Sequence, residues 1–142
     1  MKLNTETVPD LFQKAPKPIS PKTHLWLDIA TSAYFITAGA FFWTRGNKRA
    51  AAAAFVNGGM VAGVSLLTDY YGNGNRPIGF KTHGTLDVVQ AATAATAPLL
   101  MGFADQRESL FFYGQAANEV GVVAMTDWDA GERSEEVADI AA

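Results

Sequence analysis

Four apolar stretches dominate the chain: Leu25–Trp43, Ala50–Leu67, Leu86–Phe103 and Ser109–Met125. Each is close to the roughly 20 residues, range about 17–25, that a helix needs to cross a bilayer core. Short polar connections, TRGNKR and ADQRE, join the first to the second and the third to the fourth. A longer Gly/Asn/Pro-rich loop, DYYGNGNRPIGFKTH, separates the two pairs. The pattern therefore predicts two helical hairpins. A soluble four-helix bundle would fit the same lengths but should carry a charged stripe with a period of 3.6 residues. Ala50–Leu67 carries no charge at all.

The two pairs are versions of one unit. Lys22, Thr23, His24, Leu27 and Asp28 return 59 positions later as Lys81, Thr82, His83, Leu86 and Asp87. A second block, Arg49, Gly63, Val64, Thr68 and Asp69, returns 58 positions later as Arg107, Gly121, Val122, Thr126 and Asp127, with Tyr70 answered by Trp128. Two blocks in nearly the same frame define a repeat: a basic-His-Asp opening, a helix, an arginine turn, a second helix and a Thr-Asp-aromatic close. Each unit contains two spans, so both insert the same way up and are related by an axis along the membrane normal. The expected fold is all-α, with four transmembrane helices built as two parallel tandem repeats of a helical hairpin.

The segments follow: a flexible N-terminal tail over 1–21, a first membrane repeat over 22–70, a connecting loop over 71–80, a second repeat over 81–128 and an acidic C-terminal tail over 129–142, with a short helix expected from Ser134. This unit resembles the SPW-repeat family of small bacterial membrane proteins, whose two-helix repeat carries a small-Pro-aromatic signature followed by Gly-Phe. The second copy has Ala97-Pro98-Leu99 and then Gly102-Phe103; the first has Ala38-Gly39-Ala40 and no proline, and neither keeps a literal Ser-Pro-Trp. The resemblance spans residues 22–128 and implies a bacterial membrane fold without implying an activity.

Composition sharpens this picture. The chain of 142 residues is 49% hydrophobic and 18% charged, below the quarter usual for soluble domains. It has no cysteine, which excludes disulfides, thiolate metal ligands and cysteine nucleophiles. A net charge of −3 offers no nucleic-acid surface. The tail and long loop hold Lys2, Lys14, Lys17, Lys22, Arg76, Lys81 and Arg133, against Arg45, Lys48, Arg49 and Arg107 in the short turns. That bias places both termini on the cytoplasmic side of the bacterial plasma membrane. Trp26, Trp43, Tyr70 and Trp128 lie at segment ends and are expected as headgroup anchors. Gly59 and Gly63 in the second helix, with Ala117 and Gly121 in the fourth, form small-xxx-small pairs that would let those two helices meet closely in lipid.

The chemistry-bearing residues gather at one membrane face. His24 and Asp28, like His83 and Asp87, are four apart and share a side of their helix. Asp69 and Asp127, where the second and fourth helices end, return to the same layer. On the plainer reading these groups are structural clasps and no cofactor is expected. On the sharper reading the imidazoles and carboxylates hold a metal ion, or the two histidines ligate a haem. Deeper in the spans, Asn57, Gln90, Gln115, Asn118 and Glu119 form a polar stripe facing the bundle interior. Glu119 is matched by Val61 in the first repeat, and an ionisable group at that depth marks either a neutral hydrogen-bonded acid or a proton or ion path.

No catalytic constellation emerges, and GNGN is a turn signal because no strand precedes it. The chain is therefore expected to be no enzyme but a small integral membrane protein of structural or accessory type. Its partners would be the lipid bilayer and other membrane subunits. The alternatives are a metal- or haem-binding redox or sensor module using His24 and His83, and a proton or ion conduit using Glu119.

Overall fold

Ser20 starts the first helix: its Oγ accepts the Thr23 N–H at 3.2 Å while Pro21, with φ already fixed, takes the first helical position. In the computed structural model, which describes residues 14–130 and Ile140, helix α1 runs over Pro21–Thr44 and α2 over Lys48–Leu67. The turn between them needs Gly46 at φ 83°. It lets Asn47 N–H reach back to Phe42 O at 2.9 Å, and the Asn47 side chain then caps α2 by accepting from Ala50 N at 3.1 Å. Helix α3 covers Phe80–Leu100 and α4 covers Ser109–Met125. The turn between these two repeats the device, with Gly102 at φ 71° and Phe103 N–H bonded to Pro98 O at 2.9 Å.

The described residues are thus all-helical apart from minimal strand pairing. Strand β1, Thr68–Asp69, pairs in parallel with β2, Ile78–Gly79. A second parallel bridge joins Ile19 to Thr126, with Ile19 N–H on Met125 O at 3.1 Å and Asp127 N–H on Ile19 O at 2.9 Å. The residue two positions ahead of each of α1 and α3 is therefore tied to the residue that follows α4 or α2. The last part of the expected N-terminal tail is built into the fold: Ile19 is buried and the Lys17 ammonium donates to Ala124 O at 2.5 Å. Residues 1–13 of that tail, and the helix expected from Ser134, lie outside the described residues.

Helix α1 packs along α2, α3 along α4, and α2 along α3. The dry core lies toward the short-turn end, where Phe35, Phe42, Phe103 and Phe112 interlock over Ala50, Ala51, Ala54, Ala94 and Ala97. Small residues do bring helices together, although not the expected ones. A methyl group on Gly58 would come within 3.0 Å of both Phe35 and Ile36, and Ser32 Oγ donates to Gly58 O at 2.9 Å across the α1–α2 contact. By contrast, a methyl on Gly59, Gly63 or Gly121 would meet nothing within 4 Å, Ala117 lies in an outward groove between α3 and α4, and α2 and α4 do not pack along their lengths. The small-xxx-small pairs fail because the contacting face of α2 carries Ala50, Ala54 and Gly58 and points at α1 and α3, leaving Gly59 and Gly63 on its outer side.

Helices α1 and α2 are long and apolar enough to cross a bilayer. Helix α4 is shorter, at 17 residues, and α3 carries Lys81, His83, Asp87 and Gln90 within its span. Large apolar side chains nevertheless stand outward on all four helices, among them Trp26, Ile36, Phe41, Val56, Leu66, Val89, Leu99, Leu110 and Val120.

Gly58→Leu should lower stability by about 1–3 kcal/mol through overpacking against Phe35 and Ile36. Gly59→Ala and Gly63→Ala should not lower it, since the space is open and alanine is the better helix former. Thermal unfolding of the three variants in one detergent measures the contrast.

Candidate metal centre

The repeated Lys-Thr-His motif opens α1 and α3, so each histidine is the fourth residue of its helix and each aspartate lies one turn further in. Helices α2 and α4 end at the same level, delivering Thr68 and Thr126 immediately after their last turns. All four chain segments therefore converge on one point near the end of the bundle, where two helices begin and two end.

His24, Asp28, His83 and Asp87 meet there, with one ligand atom from each lying within 4.8 Å of the others. The two Nε2 atoms face each other at 3.2 Å. His24 Nε2 is 3.0 Å from Asp87 Oδ2 and 3.4 Å from Asp28 Oδ1; His83 Nε2 is 3.1 Å from Asp28 Oδ2 and 3.2 Å from Asp87 Oδ1. Both imidazoles are fully buried, Asp28 is buried and Asp87 half-buried.

The threonines decide which ring nitrogen faces the centre. Thr126 Oγ1 has one proton and gives it to Val122 O at 2.7 Å, so at 2.9 Å it accepts from His24 Nδ1–H. Thr68 repeats this, donating to Val64 O at 2.7 Å and accepting from His83 Nδ1–H at 2.8 Å. With Nδ1 donating in both rings, each Nε2 faces inward, where it can give a proton to Asp87 or Asp28 or offer a lone pair to a metal ion. Tyr70 O–H, the one further donor, reaches Asp28 Oδ2 at 2.5 Å.

An aromatic wall shuts the site in. The Trp128 and Phe80 ring centroids lie 5.0 and 5.6 Å from that of His24, and Tyr70 lies 5.3 Å from His83. Trp128 seats over Gly84, where an added methyl would stand 3.1 Å from the indole. Trp26 and Trp43 do face outward as expected of anchors. Tyr70 and Trp128 instead turn inward, because the Asp28 carboxylate and the imidazoles offer them partners.

Two of the expected acids lie outside the cluster. Asp69 folds back on its own loop and accepts N–H groups from Tyr71, Asn73 and Gly74 at 3.3, 3.2 and 2.6 Å. Burial opposes its ionisation, but the backbone donors, led by Gly74 and Asn73, outweigh that and hold its carboxyl below the usual range. Asp127 accepts from Asp129 N–H at 3.3 Å. The threonine preceding each acid reaches the histidine in its place. Thr68 and Thr126 were visible in the repeat alignment, and their matching positions 58 residues apart were the signal for this role.

Of the deeper residues, Gln90 Nε2 donates to Asn57 Oδ1 at 2.7 Å and Asn57 Nδ2 to Ala53 O at 2.8 Å, joining α3 to α2. Gln115 is buried nearby with its Oε1 unpaired. Glu119 is buried, and neither carboxylate oxygen meets a hydrogen-bond partner. It shares a small cavity with Asp28, Asp87, Gln90 and Asn118.

No protein family, characterised relative or solved structure matches this chain.

Replacing Thr126 by Val leaves His24 Nδ1–H buried without an acceptor and should cost about 1–3 kcal/mol, with Thr126→Ser milder, as read by thermal unfolding. Asp69 should contribute stability that is complete above the ordinary aspartate value of about 4 and is lost as pH falls through its lower folded value. The unfolding-temperature gap between the native chain and Asp69→Asn should accordingly narrow as pH drops below 4.

Proposed function

We propose that this chain is a small integral membrane protein of accessory type in which His24, Asp28, His83 and Asp87 hold one divalent transition metal ion, zinc foremost, as a structural staple. The observation that carries this reading is the pair of inward Nε2 atoms, 3.2 Å apart between two carboxylates, with both Nδ1 atoms held by Thr126 and Thr68. The two Nε2 atoms lie 3.2 Å apart, close to the edge of about 3.3 Å in a tetrahedron with metal–ligand bonds of about 2.0 Å. Asp28 and Asp87 each set one oxygen against one imidazole and the other oxygen against the second, at 3.0 to 3.4 Å, so each needs only to turn one oxygen to a shared ion. Two neutral imidazoles and two carboxylates also balance a divalent ion without residual charge, which a low-dielectric site requires.

A closed set of four protein ligands under an aromatic cover is the arrangement of structural rather than catalytic zinc. A haem fits poorly: a porphyrin between the two Nε2 atoms would need a flat slot where the carboxylates of Asp28 and Asp87 stand. Two doubly protonated histidines would also balance the acids, His24 giving its Nε2–H to Asp87 at 3.0 Å and His83 to Asp28 at 3.1 Å, and metal content distinguishes the two states.

The membrane setting completes the proposal. Four spans built as two parallel tandem hairpins of the SPW-repeat type, with both termini cytoplasmic, would place the staple in the interfacial layer and expose the apolar outer faces of all four helices to lipid. The repeat reading gains support from the reciprocal bonds, in which each histidine takes its threonine from the other helix pair. The staple then fixes the ends of all four helices, giving a rigid scaffold on which other membrane subunits can assemble.

Protein extracted in mild detergent without chelator should carry about one metal equivalent per chain by elemental mass analysis, and the apoprotein should take up cobalt with visible absorption. The double variant His24→Ala, His83→Ala should lose both while retaining its helical circular dichroism. A native chain that carries no metal and takes up no cobalt overturns the assignment.

A further inference from the structure

Beneath the His–Asp layer lies a cavity of about 20 Å³, room for a single water-sized occupant. Leu27, Val61 and Val122 supply its apolar wall, and Asp28, Asp87, Thr31, Gln90, Asn118 and Glu119 its polar one. Its buried atoms are nearly all acceptors. Both Glu119 oxygens and Gln90 Oε1 are buried and unpaired, and one of the two Gln90 amide N–H groups goes to Asn57 Oδ1. Glu119 is 8% exposed and Gln90 6%. Unpaired acceptors at that depth cost several kcal/mol unless a cation or a donor meets them.

Charge and ligand type narrow the occupant. The two aspartates above are balanced within their own layer, by a divalent metal or by two imidazolium groups alike, so the inference holds whichever fills that layer. Glu119, when ionised, adds one negative charge, and no Lys or Arg lines the cavity. The lining offers carboxylate, amide and hydroxyl oxygens and no imidazole, which suits a hard cation rather than a second zinc. One charge and the volume of one water leave a small monovalent ion. We propose that Glu119 and Gln90, with Asn118 at the rim, form a second, all-oxygen site beneath the His–Asp centre, and that it takes one dehydrated sodium ion.

The test is thermal unfolding of the full chain in detergent at pH 9, in choline chloride, sodium chloride and potassium chloride of equal ionic strength. Sodium should raise the unfolding temperature by about 5 °C over choline, saturably, and potassium should not. Glu119→Gln should abolish the sodium response yet retain the metal content measured for the His–Asp centre, so the two sites fail separately. Should that variant not fold, sodium-23 line broadening by the native chain, reversed by excess lithium but not by choline, reads the same site. Equal stability of the native chain in sodium and choline overturns the proposal, showing that the acid keeps its own proton. An equal response to potassium also overturns it.

Discussion

Two imidazole nitrogens 3.2 Å apart, held between two carboxylates, set the condition on which the rest of this structure depends. In water the cluster would be unremarkable, since solvent screens each charge and completes each hydrogen bond. Under Phe80, Tyr70 and Trp128 there is no such screen, so positive charge must be present in the centre in an amount matching the acids. The surroundings are organised around that demand. Hydroxyls with their protons committed elsewhere orient the rings, and the Tyr70 hydroxyl donates a hydrogen bond to the Asp28 carboxylate. Removing a partner from such a network costs more than the bond itself, because the remaining groups cannot turn to solvent.

Polarity is layered along the bundle. The ionisable cluster occupies one end, the Asn57–Gln90 amide bridge and the Glu119 cavity lie below it, and the phenylalanine–alanine core fills the other end. The layering follows from helix phase. On α3, positions 83, 87, 90, 94 and 97 share one face and pass from imidazole through carboxylate and amide to alanine. The same face of α1 reads His24, Asp28, Ser32, Phe35, Gly39 and Phe42. Each helix thus carries the whole gradient, and packing aligns the layers.

Much of this was legible in the chain. Apolar run lengths gave the helices, and the 59-residue echo of Lys-Thr-His placed two histidines and two aspartates at equivalent positions. Spacing by four put each pair on one side, and the distances bear that out. Asp69 and Asp127 were misplaced because sequence spacing stops being informative where a helix ends. Thr68 and Asp69 are adjacent in an extended segment and therefore point oppositely, so only one of them can face the histidine. Tyr70 and Trp128 were read as surface anchors because a residue at a span's end has no signature distinguishing an outward aromatic from an inward one. The helix contact through Gly58 was missed for a related reason: α2 holds consecutive glycines, and only the neighbouring helix decides which of the two faces it.

The crossed bonds from histidine to threonine have a consequence for biogenesis. His24 is among the first residues of the bundle to leave the ribosome, yet the hydroxyl that sets its tautomer belongs to Thr126, just past the end of the last helix. The first helix pair, once folded, can supply Thr68 but not the ring that Thr68 orients. A chain truncated anywhere before residue 126 therefore leaves His24 without its orienting partner. Closure of the centre therefore requires every helix of the bundle, so it can be completed only after the last of them has been made.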